Sequence, residues 1–358
     1  MERENTDMNK RLYSLDILKF VLSIIIVFHH FQQVLGITFE NGINFYCGKI
    51  QFGYIVEFFF IISGFLSNFI VIEKNEKIEF KNYILNKAVR LYPVIMISIV
   101  VNVIMMLCFR YQYGFWWQNM TPGLWRIWNS LWLTFAGGAV CDIDIAINNP
   151  MWYVCVLMIC YALFWIITVN CKKMNISPLY GFGVMCFMGV GIYQYNINLP
   201  FANQSTARGY VAYSLGIILW YIYNYIDQVF IQVISYLIAF ICIVAGIRDF
   251  DAYYDNQWGI FTFILFPSLF FIALGLNKFL NARFWYELGA ISFEIYVWHV
   301  AGLFFMEIIQ SKYDIVYTRT HMYLFAIFMV CFSIIMTVFL EKPLINILRK
   351  KIMCRLEQ

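Results

Sequence analysis

Ten apolar stretches follow one another along this chain, at 15–35, 52–72, 91–109, 151–169, 179–195, 211–226, 229–247, 258–276, 288–309 and 323–340. Most approach the ~20 residues that a helix needs to cross the hydrocarbon core of a bilayer, and in lipid only a helix or a closed barrel satisfies its own backbone. Hydrophobic residues make up 62% of the 358, and only 13% are charged, against roughly 25% in a soluble domain. The chain therefore reads as all-α, a polytopic bundle of about ten transmembrane helices. A shorter stretch, 124–140, carries Arg126, Asn129, Gly137 and Gly138 and is crowded by Trp116, Trp117, Trp125, Trp128 and Trp132. It reads as a re-entrant or interfacial helix.

Charge sets the orientation. With the amino terminus inside, inner segments hold most Lys and Arg, in the clusters Lys74 to Arg90 and Lys342 to Arg355 above all, so both termini are expected in the cytoplasm. Three parts follow: a cytoplasmic segment 1–12, a membrane domain 13–341 and a basic cytoplasmic tail 342–358. The first span is too long for a cleaved signal peptide. The net charge of +4 follows from the inner bias and points to no nucleic acid, because no basic cluster is interleaved with aromatics on a soluble face. Most of the ten cysteines lie within spans as small apolar residues, and no Cys/His spacing suggests a metal. Cys47 and Cys141 fall in expected outer loops, where they either pair or remain free.

Lys19 and His30 lie inside the first span, where a bilayer tolerates them only against protein or water. Eleven positions apart, they point within about 20° of each other and stand about 16 Å apart along the axis, with Asp16 near the same face. This stripe reads as the wall of a polar cavity; the plainer alternative is a snorkelling Lys19 and an interfacial His30. His29 points about 100° away and is read as a bystander.

Five segments carry a family resemblance. Arg11 to Lys19 followed by His30 resembles the opening signature of the acyltransferase-3 family of membrane acyltransferases, a basic residue ten positions or so before a catalytic His. Residues 57–65, Glu-Phe-Phe-Phe-Ile-Ile-Ser-Gly-Phe, are similar to the family's Phe-Phe-x-x-Ser-Gly-Phe span. Lys87-Ala88-Val89-Arg90 resembles its basic-x-x-Arg pair. Residues 291–299, ending Tyr296-Val297-Trp298-His299, resemble its late Trp-His segment, and Glu341-Lys342-Pro343 its closing Glu-x-Pro. Together the motifs keep the family's order from residue 11 to 343.

That resemblance implies an integral membrane O-acyltransferase, using acetyl-CoA or another acyl-CoA and no metal, that modifies a cell-surface or lipid-linked carbohydrate at a bacterial cytoplasmic membrane. Moving an acyl group from a thioester to an alcohol needs a base near neutral pH, which His30 fits by position; Glu57, at a similar depth, either orients it or is a solvated or lysine-paired acid at the membrane surface. Lys87 and Arg90, three apart on one helical face, are expected to hold the donor nucleotide. Lys19 either holds the pantetheine arm or thioester, or pairs with Asp16. Ser63 is read as a close-packing residue at the substrate rather than a nucleophile. His299 is substrate-contacting or structural; Trp152 stacks on a sugar or belongs to the aromatic belt; Asp142 and Asp144 bond sugar hydroxyls or are simply solvated.

Two departures matter. Many members carry a Glu five residues after the Trp of a Pro-x-Trp motif, where this chain has Leu157 after Pro150-Met151-Trp152. Lys19 and Lys87 stand where Arg is common, and Lys offers charge without a bidentate fork. Direct attack by the sugar hydroxyl and an acyl relay through a protein residue both remain open, as does self-association. The rival from another class is a transporter or flippase of lipid-linked sugars or small anions, whose path the same buried charges would line; no inverted repeat supports it.

Overall fold

The first helix, α1, runs Tyr13–Leu35 and stops where Gly36 turns left-handed at φ 63°, its N–H returning to the Gln32 carbonyl. A computed structural model describes residues 12–74, 79–116, 121–136, 146–247, 255–280 and 282–356. After α1 come α2 (Ile55–Lys74, entered by a 3₁₀ turn), α3 (Phe80–Tyr113), α4 (Leu124–Ala136), α5 (Trp152–Lys173), α6 (Pro178–Gln194), α7 (Gln204–Tyr225) and α8 (Gln228–Ile247). Next are α9 (Gln257–Phe279), α10 (Arg283–Tyr313), α11 (Arg319–Met336) and α12 (Lys342–Leu356). A π-helical turn interrupts α9 at Phe261–Leu265, and another joins α11 to α12 at Thr337–Glu341. Among the described residues the only β pairing is one isolated bridge, Leu199 with Ala202.

Local signals place the helix starts. Ser177 caps α6, accepting from the Leu179 N–H with Pro178 in the first turn, and Asn203 with Thr206 forms a capping box at α7. Helix occurs at all ten expected stretches. Among the described residues seven helical segments are long and apolar enough to cross a membrane. The remaining three stretches fall in α2, α6 and α7. α6 has 17 residues, α2 counts among the described residues as a shorter apolar helix, Phe52–Asn68, and α7 carries polar residues such as the half-buried Arg208. α4 has 13 residues, so its ~20 Å length is short of the ~30 Å core, as its sequence suggests. The Tyr92 hydroxyl ties it to α3 through the Leu131 carbonyl at 3.1 Å, while Trp125 and Trp128 stay exposed.

Two close helix contacts frame the interior. α2 and α7 run side by side, with Gly64 and Gly216 at the crossing: a Cβ on Gly64 would strike the Tyr213 carbonyl, and one on Gly216 the Ile61 carbonyl. α1 and α10 also run parallel, since Asp16 packs on Gly289 near the start of both and His30 meets His299 further along. Outer faces are apolar: α8 exposes Val233, Leu237 and Phe240, and α11 exposes Leu324, Ile327 and Phe328, as surfaces toward acyl chains require. Cys141, Asp142, Asp144, Gly137 and Gly138 lie outside the described residues; Cys47 is a free thiol.

Candidate functional site: a cation-lined cavity beneath a histidine layer

Near the start of α1, α3 and α10 lies a cavity of about 190 Å³ whose lining includes Lys19, Lys87 and Arg90. Three residues from two helices, 68 and more positions apart in sequence, thus share one space. No Asp or Glu is among the described residues that line it, and the charge they supply comes from Lys19, Lys87 and Arg90. Leu157, at the position where many relatives place a Glu, lies on this wall. The rest of the wall is largely apolar and aromatic, with the Ser63 and Tyr153 hydroxyls 3.5 Å apart.

The cations differ in how firmly they are held. Lys19 Nζ lies 2.5 Å from Asp16 Oδ1, so the pairing read from the sequence is realised while Lys19 still reaches the cavity. Asp16 itself is buried against Gly289 and stands behind the lysine rather than on the lining. Lys87 Nζ sits 4.3 Å from the Tyr161 ring centroid, a cation–π contact. Arg90 is exposed, on the same α3 face one turn later. Ser63 turns its hydroxyl toward Tyr153 on another helix, whereas its neighbour Gly64 makes the close packing that the sequence reading assigned to Ser63.

Above the cavity stands a layer of imidazoles. The rings of His30 and His299 stack with centroids 5.0 Å apart and planes 23° apart, and His29 meets His30 edge-on at 5.1 Å. His299 Nδ1 donates to the Tyr296 carbonyl at 2.7 Å, His29 Nδ1 to the Phe45 carbonyl at 2.7 Å, and His30 Nδ1 lies 2.8 Å from Gln33 Oε1. A carbonyl only accepts, so His29 and His299 carry the proton on Nδ1 and present Nε2 as acceptor. Tyr296 belongs to both levels: its ring lines the cavity, and its carbonyl holds His299. Cavity and histidine layer share a wall.

Glu57 requires a correction. It is fully buried, yet its partner is Arg208: Nε donates to Oε1 at 2.5 Å and Nη2 to Oε2 at 2.8 Å, while Trp258 Nε1 adds a bond at 3.1 Å. His30 is oriented by Gln33 from its own helix. A bidentate guanidinium saturates the carboxylate that was expected beside the imidazole, because a buried charge is satisfied first by the nearest opposite charge. Arg208, just ahead of the 211–226 stretch, is the functional candidate that the sequence reading missed. The signal existed: an acid inside one apolar run and a cation at the head of another. Arg208 also bonds the Gly53 carbonyl at 2.8 Å, and a Cβ on Gly53 would stand 3.5 Å from the His29 ring, which places the ion pair beside the histidine layer. Trp152 faces the same guanidinium at 4.9 Å. Among the described residues no group of His, Cys, Asp or Glu is arranged to hold a metal ion.

A comparison with protein families finds one whose model, described as an acyltransferase domain, matches residues 12–340. No curated protein and no solved structure matches the chain.

Proposed function

The chain belongs to the acyltransferase-3 family of membrane acyltransferases, and from that premise we propose that it moves an acetyl group from cytoplasmic acetyl-CoA to a hydroxyl of a cell-surface or lipid-linked carbohydrate. The observation that carries the donor half is the cavity: three cationic side chains, no lining acid among the described residues, and an apolar, aromatic interior. Phosphates seek clustered cations, and a pantetheine arm suits an apolar channel. In this reading Arg90 and Lys87 take the nucleotide phosphates, and Lys19 stands further along the arm. The Glu that many relatives carry would put a negative charge on this wall; Leu157 leaves it apolar.

The acceptor half rests on the imidazoles. The acceptor hydroxyl gives its proton to His30 Nε2 as its oxygen attacks the thioester carbonyl; the C–S bond breaks, and the CoA thiolate leaves and takes up the proton. Gln33 Oε1 engages Nδ1, which leaves Nε2 to act as the base. An amide orients without adding charge, so the imidazolium gains less here than beside a carboxylate. Tyr296 lines the cavity and its carbonyl holds His299, which supports direct transfer from the donor side to the acceptor side in this reading.

The test uses purified protein in lipid with radiolabelled acetyl-CoA and a carbohydrate extract of its membranes. Wild type should release CoA and label carbohydrate, His30→Ala should bind CoA without transfer, and Arg90→Ala should bind CoA more weakly. Absence of both CoA binding and CoA release in the wild type overturns the proposal and leaves transport as the reading.

A further inference from the structure

Two stacked rings in the histidine layer each leave Nε2 as an acceptor. His299 Nδ1 is committed to the Tyr296 carbonyl, so Nε2 holds a lone pair; it is buried in a fully buried residue and has no hydrogen-bond partner among the described residues. His30, with Nδ1 on Gln33, presents a second Nε2 from a half-buried ring stacked on the first at 5.0 Å. A buried acceptor left unpaired is costly, and neighbouring polar groups normally close such gaps. Here the ring stacked on it is another imidazole that, with its Nδ1 proton on Gln33 Oε1, also only accepts at Nε2.

We propose that His299 Nε2 accepts a hydrogen bond from a second hydroxyl of the acceptor, adjacent to the one that His30 deprotonates, so that the enzyme acts on one member of a pair of neighbouring free hydroxyls. The inference rests on the acyl-transfer reading above. Two lone pairs on rings stacked 5.0 Å apart suit two O–H donors on adjacent carbons, and they repel a carboxylate or phosphate, which has no donor to offer. The more open ring takes the reacting hydroxyl, whose proton passes to His30 Nε2 as the ester bond forms and the C–S bond breaks. The hydroxyl on His299 keeps its proton throughout. His299 thereby sets which hydroxyl reaches His30, by holding its neighbour.

A helical His whose Nδ1 bonds a carbonyl of its own turn also occurs for structural reasons alone, so the experiment has to separate acceptance from packing. His299→Phe keeps an aromatic ring and removes the acceptor; His299→Gln restores an acceptor oxygen. With the membrane carbohydrate extract as acceptor, His299→Phe should raise the acceptor KM about tenfold, the worth of one hydrogen bond, with acetyl-CoA affinity unchanged, and His299→Gln should recover most of the loss. NMR of the wild-type product should find the acetyl group on a carbon whose neighbour bears a free hydroxyl. An acetyl group on a hydroxyl without a free neighbour, an unchanged acceptor KM in His299→Phe, or equal losses in Phe and Gln variants overturns the inference. Product mapping needs no variant, so a misfolded His299→Phe does not remove the test. Failure of wild type to bind CoA sinks the acyl-transfer reading instead, which distinguishes the two.

Discussion

Removing Arg208 should unbalance the interior more than any other single charge deletion. Glu57 has no solvent exposure, and the Arg208 side chain retains 20%. Deleting one partner of a buried pair costs about 3–5 kcal/mol because the survivor is left uncompensated. Water reaches Arg208 and Trp258 still donates to Glu57 Oε1 at 3.1 Å, so we take the lower end, about 3 kcal/mol. That is about a hundredfold in the folding equilibrium. Arg208→Met keeps the bulk against Trp152 and removes the charge. The assay is reversible unfolding in mixed micelles for wild type, Arg208→Met, Glu57→Gln and the double variant. The double variant should lose less than the sum of the singles, with a coupling of about 2 kcal/mol. Additive losses, or an Arg208→Met protein as stable as wild type, would refute the view that these two residues satisfy each other inside the bundle.

Three further outcomes follow from the same geometry. Gly216→Leu drives a side chain into the Ile61 carbonyl and should destabilise the α2–α7 contact by about 3 kcal/mol, the top of the usual overpacking range; unchanged thermal stability would contradict the crossing. Arg90→Ala should weaken CoA binding measured by calorimetry, and raising salt should shrink the difference from wild type, since an exposed cation is screened. His30→Ala should lower acyl transfer by about 10²–10⁴-fold, as loss of a positioned base does, while leaving CoA affinity intact; a variant within threefold of wild type would exclude His30 as the base.

The positions that the motifs identified are brought together unevenly. Lys19, Lys87 and Arg90 converge on one cavity, which spacing alone makes plausible only for the last two, since they share a helix. His30 and His299 meet although 269 positions separate them, because α1 and α10 run parallel with Asp16 on Gly289 as the close point. Glu57 went elsewhere: its depth was legible in the sequence, but depth does not say which of several helices at that level supplies the partner. Ser63 and Gly64 exchanged the emphasis given them, since the rotation of α2 about its axis decides which of two adjacent residues meets α7.

Apolar length and charge bias determined the class of this chain, because a bilayer imposes its thickness and its intolerance of bare backbone on any sequence within it. Ordered motifs identified the family and singled out His30 and Arg90 as candidates, because base and phosphate-binding roles favour particular residue types. The tertiary structure alone decided which groups from different helices face one another: Arg208 on Glu57, His299 on His30, Asp16 on Gly289. Partner choice depends on helix rotation and crossing, which small residues such as Gly64, Gly216 and Gly289 set through contacts between segments far apart in the chain, and no local pattern encodes that.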